Sequence, residues 1–319
     1  MPCGRDYDYD FYCENGDDKM PKASDVRRDK ILTNIAIGYA PQNFVAEVVA
    51  PVISVTEQGG IYFEYDREEL RSEDDRRAPG GESNEIQWDV SQTSYYCQDY
   101  ALKQMLPDKI LKQNDLPIGP QITTVKKITE KIKLNREKDL QAIAQGAGVA
   151  TYDVTSESHI WSGADADPDA DAQYAIGAIR DRTGLVPNKV LISWSIRDVL
   201  VRYLKAQARL TYGEAATIND LPPMMWGCDV IVPTPVENTA NPEQEDVIAD
   251  VWSDEVVFFY SENAPSVMSL SFMYTLRYMP WGVNRWRIPS RKGEFFEVEL
   301  GQIQKMVCAD CGERLINVI

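Results

Sequence analysis

The stretch Ile122–Ala144, ITTVKKITEKIKLNREKDLQAIA, constrains the fold more than any other part of this chain. Val125, Ile128, Ile132, Leu140 and Ile143 recur at steps of three to four residues or their multiples, with Lys, Glu and Arg between them. That period predicts an amphipathic α-helix. Pro120 suits its start, and Gly146 and Gly148 suit its end. Such a helix spans roughly 34 Å, long for a globular domain. Its apolar stripe is narrow, so one face is buried, and the helix reads as a spine with strands laid against one side.

A chain of 319 residues has room for one large domain or two or three smaller ones, and a hydrophobic content of 44% supports a core. No run of eighteen apolar residues occurs, so no membrane-spanning helix is expected. The start, MPCGRDYDYDFYCENGDDK, is acidic where a secretory leader is basic and then apolar. Six cysteines over this length do not read as a disulfide framework, which points to folding in a reducing cytoplasm. The formal net charge of −17 argues against nucleic-acid binding as the main task, because binders need a positive field to displace counterions. The single histidine, His159, excludes a His–His metal site and reads as a surface or partly buried side chain.

Residues 1–30 alternate Asp and Tyr and then cluster Lys and Arg, with no apolar period, and read as an extended arm that orders only when packed on something. Asp6, Asp8 and Asp10 resemble the start of a calcium loop, but Phe11 stands where that loop needs Gly. Residues 31–55 are apolar and extended in character, broken by Pro41 and Pro51. Ile61, Phe63 and Tyr65 alternate with Tyr62, Glu64 and Asp66, and Ile86, Trp88 and Val90 alternate in the same way. Between them lies REELRSEDDRRAPGGESNE, dense in both signs of charge, so the pair predicts a hairpin with a long projecting tip. A lone hairpin is marginal in water, and this one is expected to lie on a neighbour.

Asp165, Asp167, Asp169 and Asp171 again alternate as calcium ligands do, but Ala170 replaces the required Gly and no bidentate Glu follows; the expectation is a solvated loop with Asp171 capping the next helix. Residues 172–213 read helix, turn, strand, helix: a first helix stopped by Gly184, a buried strand from Asn188 to Ser193, and a second helix with Ile196, Val199, Leu200, Tyr203 and Leu204 on one face. Strands follow at Asp229–Pro233, Val247–Trp252 and Val256–Tyr260, with a polar surface loop before Val247, which makes a compact α/β unit. From Ser269 long strands return, with turns at Pro280–Gly282 and Pro289–Gly293, and Leu315–Ile319 reads as a terminal strand. There is no internal repeat.

No nucleophile elbow, phosphate-cradling loop, zincin helix or dinucleotide fingerprint occurs, so the expectation is no enzyme and no cofactor. Cys308 and Cys311 form a CxxC, a weak metal candidate because zinc needs two further ligands; two incidental thiols near a strand end is the favoured reading.

The order of parts, with RRAPGGES at the hairpin tip, TGLVPNKVLISWSIRDVLVRYLKAQARLTYG in the α/β unit and MPWGVNRWRIPSRKGEFFEV in the returning strands, resembles the major capsid proteins of tailed bacteriophages with the Hong Kong 97 type of α+β fold. The similarity covers nearly all of the chain after residue 30 and includes Tyr39-Ala40-Pro41 with Phe44, Gly60–Tyr65, Arg77–Gly81, Thr183-Gly184 with Pro187-Asn188, and Val251-Trp252. The resemblance implies an N-terminal arm (1–30), an arm-to-loop segment (31–56), an extended hairpin loop (57–100), a peripheral domain (101–171, with the spine helix 122–144, and returning strands 266–305) and an axial domain (172–265, with a C-terminal strand in 306–319). It implies a shell subunit that forms hexamers and pentamers, works with a scaffolding protein, a portal and a possible decoration protein, encloses double-stranded DNA without sequence-specific binding, touches no membrane and ends in the virion after assembly in the host cytoplasm. Arg71, Arg76 and Arg77 at the tip are the expected inter-subunit contacts. The alternative is an encapsulin-like compartment, which shares the fold and encloses protein; a carboxylate- or metal-dependent enzyme is a third, remote reading.

Overall fold

A computed structural model describes residues 27–39, 44–64, 75–77, 80–83, 91–112, 119–157, 160–163, 166–212, 220–241, 244–266 and 269–319. In chain order the elements are β1 (Arg27–Arg28), α1 (Lys30–Gly38), α2 (Ala46–Val49), β2 (Val52–Ser54), β3 (Gly59–Glu64), β4 (Ser91–Tyr96), β5 (Gln98–Pro107), α3 (Asp108–Lys112) and α4 (Pro120–Ala144). Then come β6 (Ala150–Asp153), α5 (Pro168–Thr183), β7 (Lys189–Ile192), α6 (Trp194–Tyr212), β8 (Met224–Met225), β9 (Cys228–Ile231), β10 (Val236–Asn238), β11 (Ile248–Asp250) and β12 (Val256–Phe259). The chain closes with β13 (Met273–Ile288), β14 (Gly293–Met306) and β15 (Gly312–Ile316). Two compact units divide it: residues 1–39, 101–129 and 281–300 make one, and residues 40–100, 130–280 and 301–319 the other.

The larger unit is built on a six-stranded sheet in the order β6-β15-β12-β7-β9-β8. β12 runs antiparallel to both β15 and β7, while β7 and β9 are parallel, as are β15 and β6. Alternate strand residues point to opposite faces. Val190, Ile192, Val256, Phe258 and Leu315 pack with Ala172, Ala175 and Ile179 of α5 and with Ile196 and Leu200 of α6. Leu191, Val257 and Phe259 pack on the other side with Leu140 and Ala144 of α4. Covered on both faces, the central strand β12 is apolar at every position, VVFF. Gly184 ends α5 in the left-handed conformation at φ 72°, its N–H donating to the Arg180 carbonyl at 2.7 Å. Asn188 then brackets the Ser261 backbone, accepting from its N–H at 2.9 Å and donating to its carbonyl at 2.8 Å.

The second sheet has the order β1-β13-β14-β5, with β2 parallel to β13. In the smaller unit Asp29 caps α1, accepting from Ile31 and Leu32 N–H, and Leu32 and Ala36 bury one side of that helix.

Several sequence expectations are corrected here. Residues 31–55 are not extended throughout: they hold α1 and α2, and among the described residues only β2 is a strand. At the end of the arm, Arg27 and Arg28 are extended and pair with Arg285 and Asn284 of β13. The helix after the acidic run starts at Pro168 and is capped by Asp167, which accepts from Ala170 N–H at 3.1 Å. Asp171 is instead buried and accepts from the Trp161 indole at 2.7 Å. The segment around Val247 pairs only with β10 among the described residues, as a separate ribbon. The terminal strand ends at Ile316. Asp6, Asp8, Asp10, Arg71, His159, Asp165 and the strand expected at 86–90 lie outside the described residues.

Glu137 of α4 is the most deeply placed acid, with no exposure. Its carboxylate accepts from the N–H groups of Val45 (3.1 Å) and Ala46 (2.9 Å), where α2 begins, and from the Trp252 indole at 2.8 Å. Burial nevertheless holds its pKa above the usual value of 4.5, the three hydrogen bonds only partly opposing that. A raised folded-state pKa contributes stability that is complete below about pH 4.5 and is lost as the pH rises through the folded value. Glu137→Gln keeps the shape but turns one N–H toward a donor, so it should destabilise the subunit by about 1–3 kcal/mol. Urea unfolding of both proteins from pH 4 upward, in ranges where the subunit stays native, should show the wild-type advantage largest at the acid end and shrinking as pH rises.

Candidate assembly surfaces

The hairpin found in the sequence is formed by β3 and β4, antiparallel from Gly59 opposite Tyr96 to Glu64 opposite Ser91. Its root is fixed by backbone and side chains together. Cys97 N–H donates to the Gln58 carbonyl at 2.8 Å, and the Gln58 side chain returns a bond to the Cys97 carbonyl at 3.1 Å. Tyr62, Tyr95 and Cys97 bury themselves with Ile53, Tyr274, Leu276 and Val307. Gly60, opposite Tyr95, leaves room for that ring: a Cβ there would lie 2.8 Å from the Tyr95 hydroxyl. The alternation in β3 is as read, but the inward position is Tyr62, and Ile61 is 56% exposed, joined by Tyr96 at 63%. Period 2 fixes which residues share a face, not which face the core takes.

Just past the hairpin, Asp99 accepts from the Tyr278 hydroxyl of β13, whose pKa is pushed up to about 12 by that bond. The Tyr278 ring lies over Gly301 of β14. Arg277 beside it donates to Gln302 at 2.9 Å and to Glu47 of α2 at 2.7 Å, and the Arg136 guanidinium of α4 sits 3.3 Å from the Tyr100 ring centroid.

Of the expected contact arginines, Arg76 and Arg77 are exposed and adjacent at the tip. Arg77 Nε donates to the Gly81 carbonyl at 2.6 Å across a turn in which Gly80 has φ 82°, so part of its guanidinium shapes the tip itself. Arg71 lies outside the described residues. Cys308 precedes and Cys311 ends a 3-10 turn, Ala309–Cys311, inside the core that includes Leu140, Phe259 and Phe272. The Cys311 thiol donates to Cys308, which lowers the Cys308 pKa and raises that of Cys311. Among the described residues no three His, Cys, Asp or Glu side chains gather as a metal site would require. The acidic run has separate uses instead: Asp167 caps, Asp169 accepts from the Trp226 indole at 2.7 Å and Asp171 from Trp161. Sequence reading missed the exposed Ile61–Tyr96 pair and Glu137. No described helix is long and apolar enough to cross a membrane.

No family profile matches the chain. Over 238 residues it is 24% identical to the major capsid protein of Burkholderia phage BcepMu, covering 73% of this chain and 76% of that protein. The crystal structure of a phage-related protein from Bordetella bronchiseptica superposes with a TM-score of 0.71 at 21% identity, covering 91% of this chain and 97% of the other. The capsid of cyanophage P-SCSP1u superposes at 0.59 with 10% identity, over 87% and 89%.

The hairpin root generates a direct test. A Cβ on Gly301 would meet the Tyr278 ring and lie 2.8 Å from Met279 Cβ. Gly301→Ala should therefore displace Tyr278 from Asp99 and cost about 1–3 kcal/mol, read as a lower urea midpoint with Cys97 more reactive to a thiol reagent in the folded state.

From spine helix to hairpin and twin sheets, the chain has the Hong Kong 97 type of fold found in tailed-phage capsids.

Proposed function

We propose that this chain is the major capsid protein of a tailed double-stranded DNA phage, a structural shell subunit with no catalytic role. The observation that carries the reading is its extent: the likeness to a phage-related structure runs through 91% of this chain and 97% of the other, alongside sequence kinship with a phage major capsid protein. A closed shell requires one subunit with several complementary surfaces, and a projecting hairpin enlarges each contact. The expected division stands as part of this reading: arm 1–30, hairpin 57–100, a peripheral domain of 101–171 with 266–305, and an axial domain of 172–265 with 306–319. So do hexamers and pentamers, a separate scaffolding protein, a portal, assembly in the host cytoplasm and residence in the virion.

The tip arginines Arg71, Arg76 and Arg77 dock on an adjacent subunit. Each exposed pair contributes only about 0–1 kcal/mol, but the shell repeats it in every subunit, so the contacts act together. Electron microscopy of the purified protein, with its scaffolding partner supplied, should show closed shells, and changing all three arginines to Glu should abolish them while the monomer stays folded. Persistent monomers from the wild type would sink the shell reading; normal shells from the triple variant would sink the arginine contacts alone. Particles recovered from infected cells should contain DNA, whereas protein cargo would favour the encapsulin-like alternative.

The shell is held without covalent links from the hairpin. No lysine occurs between Lys30 and Lys103, so the hairpin has no amine able to attack a neighbour's amide, and arginine stays protonated. A denaturing gel of mature particles should give a single band near 36 kDa with and without reductant; a reductant-resistant ladder would overturn this.

A further inference from the structure

The smaller unit carries a charge pattern opposite to that of the chain. Nine charged side chains are exposed among its described residues and all nine are cations, Arg27, Lys30, Lys103, Lys109 and Lys292 among them, although the whole chain carries −17. Its acids are partly covered, and Asp29, Asp108 and Glu294 are already paired with Arg285 or Arg287. Within this unit β5 lies at the end of the sheet order β1-β13-β14-β5 and pairs only with β14 among the described strands. Residues 101–104 of β5 are exposed on both faces. Lys103 stands on one face, above the stacked rings of Trp286 and Phe295 at 5.9 and 5.7 Å. Leu102, 39% exposed, takes the other face. A long uncovered edge is a hazard for a chain concentrated in many copies.

One segment of the same chain has the matching chemistry. Residues 6–11 read Asp-Tyr-Asp-Tyr-Asp-Phe. Laid out as a strand, they put Asp6, Asp8 and Asp10 on one face and Tyr7, Tyr9 and Phe11 on the other. We propose that, in the assembled shell, residues 5–12 of a second copy add as a strand to the free edge of β5, their carboxylates toward Lys103 and their aromatic rings toward Leu102. Main-chain bonds along the edge supply binding, and the alternating faces select the segment. The arm leaves its own chain at β1, at the opposite end of the sheet order from β5. Residues 13–26 can extend up to about 46 Å. This inference rests on the shell reading and gives the arm its docking site.

The test places a benzophenone amino acid at Leu102 in the full chain, mixes isotopically light and heavy batches before assembly, irradiates the particles and maps the cross-links by mass spectrometry. Cross-links should join position 102 to residues 5–12 of the other batch. The reciprocal probe at Tyr9 should reach residues 101–107, which keeps the test open if one variant folds poorly. Changing Asp6, Asp8 and Asp10 to Lys should lower the yield about tenfold, and adding Lys103→Glu with Lys109→Glu should restore it. Shells whose cross-links fall in residues 65–90, on packaged DNA, or only within one batch overturn the inference and leave the shell reading standing. Monomers under every condition remove the shell reading, and the second-copy docking with it.

Discussion

Everything in the larger unit is arranged around a carboxylate that water never reaches. Glu137 receives three N–H groups, two from the start of α2 and one from Trp252. An unpartnered acid at that depth would be strongly destabilising; with three donors it becomes a fixed point. It sets where the chain enters α2, and α2 leads directly into β2 and the hairpin. Trp252 in turn belongs to the core that packs Leu140 and Ala144 against the six-stranded sheet. A second bracket lies just past the C-terminal end of the helix, where buried Arg314 joins Glu255 in a two-bonded pair and donates to the Gly146 carbonyl at 2.8 Å. The C-terminal third of the helix is thus pinned by polar groups at two heights, with Leu140 and Ala144 buried between them.

That rigidity has a functional meaning for a shell subunit. A hairpin that stands alone is marginal, so whatever it contributes to a neighbour depends on how firmly its root is held. Here the root is held by Cys97, Gln58, Tyr62 and Tyr95, and the next residues by Asp99 on Tyr278 and Tyr100 under Arg136. The exposed Ile61 and Tyr96 then sit on a fixed platform. Apolar side chains left at a hairpin surface gain by burial against another copy.

The parts of this fold that the sequence announced are those with a period. The spacing of Val125, Ile128, Ile132 and Leu140 placed α4 within two residues of its start, and all four are buried. Gly184 marked the end of α5, alternation found β3, and short apolar runs marked β7 and β12. Where period gave way to single interactions, reading failed. Residues 31–38 are rich in Ile and look extended, yet Asp29 capping two N–H groups makes them α1. Asp171 sits among acids that cap or face solvent, and only the tertiary approach of Trp161 buries it. Glu137 looks like any charge on a polar helix face until Val45 and Trp252, distant in sequence, are brought to it. Charge segregation was hidden for the same reason: the sum of −17 says nothing of which acids fold inward beside arginines.

On the proposed shell reading, this segregation bears on how separate subunits repel and yet assemble. Like net charge keeps separate subunits apart, and the repulsion acts over about a Debye length, near 8 Å at physiological salt. Contact between copies that repel at longer range is favoured where unlike patches meet at short range and apolar groups are covered. Affinity built this way is modest per contact and strongly dependent on orientation. Weak contacts let misplaced subunits leave, and closure makes the correct arrangement stable, because each subunit in a shell is held by all its neighbours at once. On the proposed shell reading, a hairpin without lysine leaves the subunits to rely on that multiplicity, with the placement of their charges making the contacts selective.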